Sequence, residues 1–127
     1  MSLILIVEDN EKNLKLVRDV LRVKGYETVE ATSAEDGIRI ARESVPDLVL
    51  MDIQLPGMNG IEALRVLRAD RATASIPAIA VTASVMQQDR NLITDAGFDG
   101  YVGKPINLKE FLDAVRTALE RGKRGDA

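Results

Sequence analysis

Neither cysteine nor histidine occurs among the 127 residues. The first absence excludes disulfides, thiol nucleophiles and thiolate metal sites. The second excludes a histidine general base, imidazole ligands to a metal and a phosphohistidine carried by the chain itself. Any bound metal has only oxygen ligands available, and these favour hard ions such as Mg²⁺. Long apolar runs are missing too: stretches such as "LILIV" at 3–7 are far too short to span a bilayer. The start offers neither a basic segment nor a cleavage site, so no signal peptide is expected and a soluble cytoplasmic protein is. There is no excess of positive charge either. A net charge of −3 gives no ground for broad attraction to nucleic acid or an anionic membrane.

What is present suits one ordinary domain. Hydrophobic residues make up 46% of the chain, enough to bury a core without covalent staples, and the 29% of charged residues are well mixed. The expected domain covers residues 1–121, with 122–127 ("GKRGDA") a short tail that frays.

Short β-rich runs alternate with stretches of helical period. "LILIV" (3–7) reads as a buried strand. From Asn10 to Lys24, Leu14, Val17 and Leu21 recur at helical spacing, Val20 and Val23 widen the stripe, and Gly25 follows the helix end. "ETVEA" (27–31) is a second strand, and Ser33 caps a helix over 34–44 that Pro46 closes. "DLVLM" (47–51) is the third strand, followed by a helix at 59–69 with Ile61, Leu64 and Leu67 inward. "AIAVT" (78–82) is the fourth, followed by a helix at 85–96 with a polar middle and a weak apolar stripe. "GYVG" (100–103) is the fifth. Asn107 then caps a last helix, with Glu110 placed for a capping box and Leu108, Phe111, Leu112, Val115 and Leu119 as its stripe. Such alternation predicts an α/β fold: a doubly wound, five-stranded parallel sheet of order 2-1-3-4-5 with five helices, like flavodoxin.

In an open parallel sheet, ligands bind beyond the carboxyl ends of the strands, at the switch in strand order. The residues expected there are Glu8 and Asp9, Asp52, Thr82 and Ala83, and Lys104 followed by Pro105. Three carboxylates within about 5 Å repel by roughly 3 kcal/mol per pair at an effective dielectric near 20. Lys104 offsets one charge, and a Mg²⁺ ion completed by water would offset the others. An aspartate oxygen can also attack a phosphoryl group and hold it as an acyl phosphate. Such transfer needs positioning and charge neutralisation above all. Lys104, the Thr82 hydroxyl and the backbone N–H groups of Ile53 and Ala83 are the candidate partners of the phosphoryl oxygens. The Pro56-Gly57 bend and Gly60 would keep the loop after Asp52 open to a donor.

Read together, "LIVEDN" (5–10), "DLVLMDIQLPGMNG" (47–60), "IPAIAVTA" (76–83) and "AGFDGYVGKPI" (96–106) resemble the receiver domain of two-component response regulators over residues 3–120. "VEDNEKNLKLV" and "MDIQLP" are most similar to its single-domain cell-cycle regulators, and also to receiver modules of hybrid sensor kinases. The resemblance implies that Asp52 is the phosphoacceptor. It implies that Glu8, Asp9, Asp52 and the backbone carbonyl of Gln54 arrange Mg²⁺, and that Thr82 and Lys104 contact the phosphoryl group. A cis bond between Lys104 and Pro105 is expected. Thr82 and Tyr101 are expected to respond together to phosphate, changing the surface of the fourth helix, fifth strand and fifth helix. Positions 54 and 84, here Gln54 and Ser84, tune phosphate lifetime in the family.

Taken singly, each residue also has an ordinary role. Glu8, Asp9 and Asn10 suit a helix N-terminus, Asp52 a turn, Thr82 a strand end, Lys104 a solvated loop, Tyr101 a surface ring, and Gly57 and Gly60 simple turns. Three functions follow. The first is a signalling switch, not an enzyme, phosphorylated by a sensor histidine kinase or a histidine phosphotransfer protein. With no effector domain after the last helix, its output would be binding to a downstream protein, or a phosphorylation-dependent dimer in place of the monomer. The second is a Mg²⁺-dependent phosphatase with an aspartate nucleophile, which usually has a second aspartate where Gln54 stands. The third is a constitutive interaction module with a vestigial acidic pocket.

Overall fold

A computed structural model describes residues 2–83 and 87–122, without the side chains of 87–89. The strands are β1 (Leu3–Val7), β2 (Glu27–Ala31), β3 (Leu48–Asp52), β4 (Ala78–Thr82) and β5 (Gly100–Gly103). The helices are α1 (Glu11–Val23), α2 (Ala34–Ser44), α3 (Gly60–Ala69), α4 (Gln87–Ala96) and α5 (Leu108–Arg121). All strand pairs are parallel and the order is β2-β1-β3-β4-β5, the doubly wound order expected. The fifth helix ends where Gly122 takes a φ of +70°, and the expected fraying of the tail concerns residues 123–127, outside the described residues. Positions 85 and 86, the expected start of the fourth helix, lie outside them as well.

Side chains alternate across the sheet, which divides the core in two. Leu5, Val7, Val49, Met51, Ala78 and Ala80 pack toward α2, α3 and α4. Ile4, Ile6, Leu48, Leu50 and Ile79 pack toward α1 and α5, against Leu14, Val17, Leu21, Phe111 and Val115. Central β3 and β4 are buried along their whole length, while edge strands β2 and β5 are only partly so. Val23 and Leu108, expected in the apolar stripes, are exposed instead. Each lies in a terminal turn, outside both buried clusters.

Local chemistry sets the boundaries. Asn10, Ser33, Asn59 and Asn107 each cap a helix by accepting a backbone N–H three residues on. The reciprocal box forms at Asn59 and Glu62, whereas at Asn107 only the Glu110 N–H bond is made. β3 begins one residue later than expected. Asp47 instead ties the start of β1: its carboxylate accepts the Leu3 N–H at 2.8 Å and its own N–H donates to the Leu3 carbonyl. Among the described residues, no helix is long and apolar enough to cross a membrane.

Candidate functional site

The alternation that divides the core also brings the acids together. Glu8 and Asp52 continue the rows Ile4-Ile6 and Leu48-Leu50, which are paired in register, so both carboxylates leave the sheet on the α1/α5 side. Carboxylate oxygens of Glu8, Asp9 and Asp52 lie within 4.8 Å of one another. Glu8 and Asp52 are buried, at 4% and 2% exposure, and Asp9 is open to solvent. Lys104 reaches in from the end of β5, its Nζ 3.1 Å from Asp52 Oδ2 and 3.2 Å from Glu8 Oε1.

One ammonium between two buried carboxylates leaves negative charge in excess. Burial pushes Glu8 up to about 7, and its hydrogen bond and repulsion with Asp52 add to the effect. For Asp52 burial acts upward too, but is outweighed by hydrogen bonds from the Glu8 side chain, the Gln54 N–H and Lys104, so its pKa falls below the usual value. The two titrate as a pair, with Asp52 favoured to ionise first and Glu8 to keep its proton to higher pH. Burial works against the Lys104 ammonium, but Asp52 and Glu8 more than compensate and raise its pKa.

The loop after Asp52 is closely fitted. Gly57 has a φ of +74°, the left-handed region that glycine enters without strain. Gly60 is needed for a different reason: a Cβ there would collide with the carbonyl oxygen of Asp52 and the Cα of Ile53. The Gly60 N–H donates to the Ile53 carbonyl at 3.0 Å, tying α3 to the strand end. The first two backbone N–H groups after Asp52 differ in what they face. The Ile53 N–H donates to the Val81 carbonyl at 3.0 Å, the last rung between β3 and β4. The N–H that faces the carboxylate is that of Gln54, 2.9 Å from Asp52 Oδ1.

Thr82 ends β4, buried at 2% exposure, with Ala83 exposed beside it. The Thr82 carbonyl accepts the Lys104 N–H at 2.9 Å, fixing where the lysine leaves the sheet, and the Lys104–Pro105 bond is cis. Thr82 follows Ala78 and Ala80 on the α4 face, and Tyr101 pairs with Ala80, so the two are diagonal neighbours on that face. Tyr101 is 38% exposed, and the Arg90 guanidinium of α4 stands 5.4 Å from its ring centroid. This contact has no signal in the sequence, because an arginine on a polar helix reads as solvated. Ser84 lies outside the described residues.

Comparison with known proteins agrees with this geometry. The family model for the response regulator receiver domain matches residues 4–116. The chain is 43% identical over 116 residues to the polar-differentiation response regulator DivK of Brucella ovis, covering 91% of this chain and 94% of the relative. The receiver domain of a sensor histidine kinase from Pseudomonas aeruginosa PAO1, whose crystal structure has magnesium in its active-site cleft, superposes with a TM-score of 0.87 at 32% identity, over 94% of this chain and 98% of that one. A CheY-like receiver domain from Methanospirillum hungatei JF-1 gives 0.88 at 30% identity, over 95% of both chains. These relatives are signalling regulators, and with that match in sequence and fold the chain belongs to the response regulator receiver domain family.

Proposed function

We propose that the chain accepts a phosphoryl group on Asp52 from the phosphohistidine of a sensor kinase or phosphotransfer protein, and that the modified surface controls binding of a downstream protein. One observation carries this: a buried aspartate at a strand end, flanked by two further carboxylates and touched by the Lys104 ammonium. The donor set fits Mg²⁺. It is all oxygen, one member is open to solvent, and a dication would favour the ionised form of Glu8 against the burial and the Asp52 carboxylate that raise its pKa. Glu8, Asp9, Asp52 and the Gln54 carbonyl would hold it, and when bound it supplies charge neutralisation to the phosphoryl oxygens. The relative from Pseudomonas with magnesium in its cleft supports the same assignment.

The chain's own residues do the rest. An Asp52 oxygen forms the new bond to phosphorus as the donor's phosphorus–nitrogen bond breaks, and the bonding pair leaves on the donor imidazole. Lys104 moves its ammonium from the carboxylate to a phosphoryl oxygen. The Thr82 hydroxyl and the Ala83 N–H take the others, with the Gln54 N–H in the role first expected of Ile53. Thr82 draws Tyr101 after it, because the two share one face of the sheet. The phosphatase alternative loses ground at Gln54, an exposed amide where that chemistry needs an acid.

The test is transfer from a phosphorylated histidine phosphotransfer protein, with and without Mg²⁺. Label should pass to the wild type only with the metal and never to Asp52→Asn. Label on Asp52→Asn, or transfer indifferent to Mg²⁺, contradicts the proposal. The resemblance to a sensor-kinase receiver favours a second arrangement, a phosphorelay in which Asp52 is an intermediate carrier. Rapid return of the phosphoryl group to a second phosphotransfer protein would distinguish it.

A further inference from the structure

Tyr101 lies at the surface beside a cation. Its ring stands on the α4 face of edge strand β5, over a third exposed, with the Arg90 guanidinium 5.4 Å from its centroid. That distance is within the range in which a cation is attracted to an aromatic face. Arg90 is itself solvent-exposed, so the attraction is modest, but the ring can keep it only while it stays outward.

We infer that Arg90 is a positioning residue for the switch: its guanidinium holds Tyr101 outward and so sets how readily the phosphorylated arrangement forms. The inference rests on the phosphoacceptor reading above. Thr82 is the diagonal neighbour of Tyr101 and is buried at the strand end beside the site. A ring that turns inward must leave Arg90. The contact therefore favours the resting arrangement, and by linkage opposes whatever binds the other one better. Surface cation–π contacts are worth about 0.5–1 kcal/mol, which corresponds to a two- to fivefold change in an equilibrium.

The full chain is titrated with beryllium fluoride as phosphoryl analogue in the presence of Mg²⁺, with the Tyr101 ring followed by NMR. Arg90→Met should bind the analogue about two- to fivefold more tightly than wild type, because only the resting contact is lost. Arg90→Lys should fall between the two. In a Tyr101→Leu background Arg90→Met should change nothing, which a general loss of positive charge or a damaged helix would not reproduce. Unchanged affinity in Arg90→Met, or an equal gain without the tyrosine, overturns the inference. Failure of wild type to bind the analogue would instead contradict the phosphoacceptor reading. The ligand-free spectra then decide for Arg90: its removal must shift the Tyr101 ring signals, and if they stay put the contact does not hold the ring.

Discussion

Lys104 Nζ lies 3.1 Å from Asp52 Oδ2, and the same ammonium reaches Glu8 Oε1 at 3.2 Å. The lysine thus bridges the acids that a metal and a phosphoryl group would otherwise neutralise. Its backbone is pinned by its N–H bond to Thr82, so the side chain can change partner without the strand end moving.

Replacing that cation should cost both stability and function. Lys104→Met is expected to lower stability at pH 8 by about 1.5–3 kcal/mol, the range for a hydrogen bond to a charged group. The loss should shrink toward pH 5.5, where the freed carboxylates take up a proton. Urea unfolding at the two pH values checks this, and an equal loss at both would contradict it.

Glu8 makes the resting protein's stability depend on pH. Its pKa is 4.5 in the ordinary state and about 7 in the fold, so between these values the folded chain holds a proton that the unfolded chain has lost. The stabilisation is therefore complete below 4.5 and is lost as pH rises through 7. Asp52 acts in the opposite sense at more acidic pH: its contribution is present above its ordinary value and disappears as pH falls through the lowered one. Without metal, stability should fall from pH 5 to 8, and Glu8→Gln should flatten that slope. Unfolding curves without Mg²⁺ measure both, and a slope unchanged in Glu8→Gln would locate the proton elsewhere.

Because a bound dication needs Glu8 ionised, metal binding must expel that proton. The apparent Mg²⁺ affinity should rise with pH up to about 7 and level off above it. Calorimetry in buffers of different ionisation enthalpy reads the proton release directly. Binding that is flat across the same pH range would mean that Glu8 plays no part.

The two loop glycines should respond differently. Gly60→Ala places a methyl group against the Asp52 carbonyl, with an expected destabilisation of about 1–3 kcal/mol and slower phosphorylation. Gly57→Ala meets open space and should cost only the roughly 1–2 kcal/mol of a left-handed residue, with the site intact. Phosphorylation rates at matched folded fraction separate them. Equal rates would show that the Gly60 contact does not locate Asp52.

Much of this was legible in the sequence because the physics is local. Apolar runs of strand length, asparagine and serine caps and the acids at strand ends each carry their own signal, and alternation with helices points to a parallel sheet with few possible orders. What escaped depends on distant partners. Nothing near Ile53 reveals that its N–H serves Val81 while that of Gln54 faces the Asp52 carboxylate. Gly60 read as a turn former, but its real constraint is the strand it touches. The upward shift of Glu8 needs burial and Asp52 together, and the Arg90 contact with Tyr101 joins two elements that sequence spacing does not relate. Val23 and Leu108 followed the apolar period yet stayed outside, because period says which face is apolar but not where the sheet beneath it stops.

If folding gathers acids around Asp52, that residue takes the phosphoryl group. The most direct measurement is peptide mapping by mass spectrometry of the intact chain after phosphoramidate treatment with Mg²⁺. One acid-labile phosphoryl group is expected, on Asp52, and none when the metal is chelated beforehand. A phosphoryl group on any other residue, or an unmodified chain under the same conditions, would contradict it.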